Sequence, residues 1–114
     1  MKTSELSGPA LDWAVAKLEG DLVPTGGVMI QTWPYYATNW AHGGPVIERE
    51  KISVALDEGE TEWEAVTEAA LGSMFGTGLR GEHWQQGPTP LIAAMRCFVE
   101  SKLGNEIDIP EELV

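Results

Sequence analysis

Thr89-Pro90-Leu91-Ile92-Ala93-Ala94-Met95-Arg96-Cys97-Phe98-Val99-Glu100-Ser101-Lys102-Leu103-Gly104 is the stretch on which the fold turns. Threonine followed by proline starts a helix well. The hydroxyl accepts from a free N–H of the first turn, and proline lacks only an N–H that would go unbonded there. Leu91, Met95, Phe98 and Val99 recur at helical spacing, Ile92, Ala93, Ala94 and Cys97 make much of the remainder apolar, and Gly104 is a stop. A helix apolar nearly all round is mostly buried. Arg96 therefore stands amid apolar side chains, where a guanidinium is costly unless its donors meet an anion or carbonyls.

Outward from this helix, Ser7-Gly8-Pro9 opens a second one, over 7–19, with Leu11, Ala14, Val15 and Leu18 on one face, Trp13 off that face, and Gly20 as its end. A turn at 21–27 leads to a short strand at 28–33, which Pro34 ends. Residues 35–45 read as a loop, because Gly43-Gly44-Pro45 makes continued helix improbable. Residues 46–56 read as a strand: Val46, Ile52, Val54 and Leu56 share one parity, Ile47, Arg49, Lys51 and Ser53 the other. After a turn at 57–60, Thr61 to Thr67 is a hairpin partner with Trp63 and Ala65 on one face, and a helix over 61–71 competes with it. Residues 72–88 are glycine-rich and loop-like. The expected fold class is α+β, a small mainly antiparallel sheet packed with two helices at about 7–19 and 89–103. It forms a single compact domain over 1–114, with an extended acidic tail from about 105.

Composition limits the function. The chain has 114 residues, 18 Asp plus Glu against 7 Lys plus Arg, and a net charge of −11. At 43% apolar and 22% charged residues it is too apolar for disorder. The basic residues Lys2, Lys17, Arg49, Lys51, Arg80, Arg96 and Lys102 are scattered, and a field of this sign repels phosphate backbones. DNA and RNA are therefore not expected partners. No apolar run is long enough to span a bilayer and no signal-peptide core follows Met1, so no membrane role and a cytoplasmic location are expected. The single cysteine, Cys97, allows no intrachain disulfide.

Motifs for a reaction are missing. Gly76-Thr77-Gly78-Leu79-Arg80-Gly81 has G-x-G-x-x-G spacing, yet Glu82 to Pro88 supplies no helix after it, and the dinucleotide reading fails. His42 and His83 have no partner at metal-ligand spacing, and a cysteine inside an apolar helix behaves as a small hydrophobe. Neither a catalytic site, a metal nor a cofactor is expected. Arg96 has two readings: it pairs with Glu48, Glu50 or sheet carbonyls, or it binds a ligand's phosphate or carboxylate. Five of the nine aromatic residues are Trp, and Trp33, Trp40 and Trp84 sit in segments dense in Gly, Pro, Asn, Gln and His. Such rings either line a contact surface or cap a small core from its edges.

Three stretches together resemble the NinX-like family of small bacteriophage and prophage proteins: 3–17, with Ala10-Leu11-Asp12-Trp13-Ala14-Val15-Ala16-Lys17; Asn39-Trp40-Ala41-His42-Gly43-Gly44-Pro45-Val46-Ile47-Glu48-Arg49-Glu50; and Gly87-Pro88-Thr89-Pro90-Leu91-Ile92-Ala93-Ala94-Met95-Arg96. The resemblance is least over 55–86, and the cysteine often found near position 18 in the family is absent. The family is one of unknown function, so the resemblance carries over no catalytic residue. It implies an accessory protein acting within the host, in the host cytoplasm during infection, by binding something. The leading expectation is a non-enzymatic protein that captures a small anionic, nucleotide-derived ligand such as a defence signal. Arg96 and Arg49 are the expected anion contacts, Trp40 and Tyr36 the stacking rings, Gly43 and Gly44 the points of close backbone approach, and Thr89 a further contact. So short a chain has little room for an enclosed pocket, which favours a homo-oligomer. Two rival readings are an acidic inhibitor or nucleic-acid mimic docking on a host protein through 57–68, and a nucleotide-degrading enzyme.

Overall fold

The computed structural model describes residues 1–21, 33–57, 59–68 and 84–113. The expected strand at 28–33 (apart from Trp33), the turn before it, the 76–81 motif, His83 and most of the 72–88 loop lie outside these residues. A short 3-10 turn (Thr3–Glu5) precedes helix α1 (Gly8–Glu19). Helix α2 (Trp40–Glu50) and strands β1 (Ile52–Leu56), β2 (Trp63–Thr67) and β3 (Gln85–Gly87) follow. Helix α3 (Pro90–Leu103) and a 3-10 turn (Glu111–Leu113) complete the chain. This is the α+β class.

The sheet has the order β1-β2-β3 and is antiparallel throughout, with Val54 opposite Ala65 and Trp63 opposite Gly87. Thr61–Thr67 is thus the hairpin partner of β1 from Trp63 onward. Helix α3 touches all three strands, both other helices and the first 3-10 turn. Leu91, Ala93, Ala94, Met95, Cys97, Phe98 and Val99 are all buried, as a helix apolar on every side requires. Thr89 Oγ1 accepts from Ile92 N–H at 3.1 Å, Pro90 sits in the first turn, and Gly104 ends the helix at φ +86°. On α1, Leu11, Ala14 and Val15 are fully buried, and Gly20 ends the helix at φ +78°. Trp13 stands off that stripe with the Lys17 ammonium 5.4 Å from its ring centre. After Gly104 the tail is pinned to the N-terminus. Thr3 N–H donates to Asn105 O at 2.8 Å, Ile107 N–H donates to Met1 O at 3.0 Å, and Ile107 is buried.

The reading of 35–56 needs correction. Residues 40–50 form a third helix, and only 52–56 of the expected 46–56 strand is strand. Arg49 and Lys51 therefore do not share a strand face: Arg49 is in the last turn of α2, and Lys51 is its left-handed cap at φ +52°. Glycine costs a helix about 1 kcal/mol and proline about 3 kcal/mol, so Gly43-Gly44-Pro45 argues against helix on propensity alone. Packing overrides that preference. Asn39 Oδ1 accepts from Ala41 N–H at 2.9 Å and starts the helix. Gly43 then lies against Leu91 and the Tyr36 carbonyl, and a Cβ there would come within 2.6 Å of Leu91 Cδ1. The missing side chain lets α2 approach α3. At Gly44, absence of a Cβ removes the clash that a residue preceding proline meets in helical conformation.

The two glycines should separate in a urea titration. Gly43→Ala is expected to lose about 1–3 kcal/mol through overpacking. Beyond its chain neighbours, Gly44→Ala meets nothing nearer than Trp40 Cε3 at 4.0 Å; only the contact with Pro45 opposes it, and it is expected to lose less than Gly43→Ala.

Candidate functional site

The C-terminal ends of α2 and α3 meet beside the ends of β1 and β2, and a groove of about 760 Å³ opens between them. Each helix carries a basic residue in its last turn, Arg49 on α2 and Lys102 on α3, where a cation complements the helix dipole. Lys51, next in the chain after α2, adds a third cation to the rim. Glu50, Glu68 and Glu100 line the same groove, so it is locally balanced on a chain of net charge −11.

Each cation has a carboxylate partner. Arg49 grips Glu19 with both terminal nitrogens, tying the end of α1 to the end of α2, and its Nε donates to Glu50 at 2.9 Å. Lys102 Nζ lies 3.1 Å from the other Glu50 oxygen, and Lys51 Nζ lies 3.5 Å from Glu68. Glu50 thus bridges two helix ends. The hydrogen bond from Arg49 holds its carboxyl below the usual carboxylate range, with Lys102 adding to the effect. Arg49 is raised above its ordinary value by its bonds to Glu19 and Glu50. Cys97 also lines the groove, and burial pushes its thiol up to about 12, with the charge of Glu100 adding to the rise. It is a neutral thiol at neutral pH. Ser101 donates to Phe98 O at 2.7 Å, a bond back into its own helix. What the groove offers a ligand is paired charge.

Of the seven residues expected at a ligand site, Arg49 alone lines this groove. Arg96 lies two positions before Phe98 on α3, about 200° around the helix, whereas Arg49 sits over the Phe98 ring at 5.8 Å. The two arginines face different spaces. Arg96 Nε donates to Leu6 O at 2.7 Å and Nη1 to Gln86 O at 2.7 Å. Among the described residues no carboxylate comes within salt-bridge distance of it, so carbonyls, rather than Glu48 or Glu50, are its partners. Burial lowers its pKa, and the charge of Glu62 opposes that shift.

The remaining expected residues serve α2 and α3. The buried Tyr36 donates its hydroxyl to Asp21, and burial, then Asp21, raises the phenol above its ordinary value; the ring is not free for stacking. Gly43 is filled against Leu91, Gly44 lies near the Trp40 ring, and Thr89 caps α3. Trp40 is exposed, but it begins α2 while Arg49 is in the last turn, about 13 Å along the axis. Sequence reasoning missed Glu50 and Lys102 as site residues. Lys102 ahead of the Gly104 stop was a legible sign of a helix end; Arg49 was not, because 46–56 reads as strand, and neither was the meeting of the two ends. Among the described residues no group of three or more His, Cys, Asp or Glu side chains is placed to hold a metal, and no helix is long and apolar enough to cross a membrane.

The Glu50 bridge has a pH signature. A carboxyl depressed in the folded state stabilises it above the unfolded-state value, near 4.3, and loses that contribution as pH falls through the lower folded value. Glu50→Gln is expected to be less stable than the parent at neutral pH. The gap should close in urea titrations taken progressively below about pH 4.

No curated protein matches this chain. The family described as Bacteriophage P22, NinX matches residues 2–102, which take in α1, α2, the described strands and all but the last residue of α3. The chain therefore belongs to the bacteriophage P22 NinX family.

Proposed function

We propose that this phage protein binds a small phosphate-bearing ligand in the groove between the ends of α2 and α3 and holds it without turnover. A nucleotide-derived defence signal in the host cytoplasm is the ligand class that suits a phage accessory protein. One observation carries the reading: three of the seven basic residues of a chain with net charge −11 gather around a single groove. A volume of about 760 Å³ is in the range of small-molecule sites. Because Lys51 and Lys102 already pair with Glu68 and Glu50, binding is an exchange in which ligand oxygens replace glutamate oxygens. Trp40 lies at the other end of α2, so the groove recognises the anion rather than a base.

Calorimetry with inorganic pyrophosphate, ADP-ribose and a cyclic dinucleotide tests this. At least one is expected to bind, and Lys51→Met with Lys102→Met is expected to weaken it by about tenfold or more. Arg96→Lys should leave affinity unchanged while lowering stability, and the ligand should be recovered intact by mass. Absence of heat for all three probes, or binding indifferent to the double variant, overturns the proposal.

The β1–β2 turn favours a second reading, an acidic contact with a host protein. Asp57 accepts from Thr61 N–H at 2.8 Å and from its hydroxyl at 2.9 Å, which stiffens a turn exposing Glu60 and Glu62. On that reading a host protein is captured at low salt and lost at high salt.

A further inference from the structure

The charge of this chain is unevenly placed. Residues 22–47 are 26 consecutive positions without Asp, Glu, Lys or Arg, and the next longest such run has 13. Where the structure describes the uncharged run, it carries the two most exposed large apolar side chains of the described residues, Trp40 at 55% and Tyr35 at 50%. Thr38, Asn39 and Ala41, also exposed and uncharged, lie between and beside them. Their backbone is held firmly. Tyr35 N–H donates to His42 Nδ1 at 3.1 Å, and Tyr35 O accepts from Asn39 N–H at 2.9 Å. Ala37 N–H donates to the buried Asp12 carboxylate at 2.8 Å. The rings are thus offered from a preorganised turn, which lowers the ordering cost of a contact.

We infer that two copies of this chain associate through this face, with Trp40 and Tyr35 of each copy at the centre of a two-fold contact. The charge decides the occupant. Two copies at −11 each repel wherever carboxylates approach within a Debye length of about 8 Å; this turn has no charged residue of its own, and of the carboxylates bonded to it Asp12 is buried and Asp21 is engaged by the Tyr36 hydroxyl, so the copies meet here with less of that repulsion. A basic partner would be drawn to the acidic surfaces and gain nothing from this one. A second copy brings the same apolar face, and two-fold symmetry makes an identical patch self-complementary. Trp and Tyr are the residues that most often anchor such contacts. The other exposed large apolar residues, Met1, Leu56 and Leu103, stand singly and each next in sequence to a charged residue, Lys2, Asp57 and Lys102.

Sedimentation equilibrium of the full chain, up to a concentration of about 100 µM, tests the inference. The expected result is a reversible equilibrium between 12.4 kDa and twice that mass, shifted toward the dimer by added salt as like charges are screened. Trp40→Asp and Tyr35→Asp, each checked for folding by circular dichroism, should weaken association by about tenfold or more. Leu56→Asp adds the same charge at an exposed apolar residue on β1 and should leave it nearly unchanged. A monomer at every concentration overturns the inference. So does a dimer that survives both aspartates at the face, or one that Leu56→Asp dissociates equally.

Discussion

A guanidinium carried into apolar surroundings must have its N–H donors met, and the way Arg96 meets them joins the distant parts of this chain. Its helix is covered by the sheet, by α1 and by α2, and the residues beside it on α3 are buried. Two carbonyls answer it, one from Leu6 at the start of the chain and one from Gln86 on β3. A neutral carbonyl satisfies the donor without cancelling the charge, so burial lowers the pKa, and the charge of Glu62 acts against it. The arrangement ties the N-terminal segment and β3 together beside one helix. The Thr3 and Ile107 bonds then close the N-terminus and the tail around the same end.

Against that frame α2 is held by contact rather than by its own preference. Gly43 lets it lie close to α3, Asn39 starts it, and Arg49 clamps its far end to Glu19 of α1. The one helix with poor intrinsic propensity thereby places both features of functional interest: the uncharged aromatic turn at its start and the paired charges at its end. Those charges are mutually engaged, Arg49 with Glu19 and Glu50, Lys102 with Glu50 and Lys51 with Glu68.

Much of this was legible in the residues. Helices α1 and α3, the Thr89 cap, the two glycine stops and the mixed class follow from periodicity and turn chemistry, which act over a few positions; the pairing of 63–67 with β1 was one of two readings, and Ser7 makes no side-chain cap bond. The readings that failed share a cause. Gly43-Gly44-Pro45 disfavours helix by local preference, and Ile47, Arg49 and Lys51 alternate with strand parity, whereas the governing fact is that Leu91 leaves room for a helix without a Cβ. Tyr36 and Arg96 stand out in the sequence as an aromatic in a loop-like segment and a cation amid apolar residues. Their partners, Asp21 and the carbonyls of Leu6 and Gln86, lie 15, 90 and 10 positions away, and no spacing rule reaches across such intervals.

By itself the sequence determined the acidity of the surface, the buried helix over 89–103 and the family to which the chain belongs, because each is a property of composition or of neighbouring residues. Only the tertiary structure decided which cations share a space. Arg49 and Lys102 meet at one glutamate because two helix ends converge there, while Arg96, on the same helix as Lys102, turns to the opposite flank. The reason is geometric: a helix advances 100° per residue, so which side chains become neighbours depends on where each helix lies against the next.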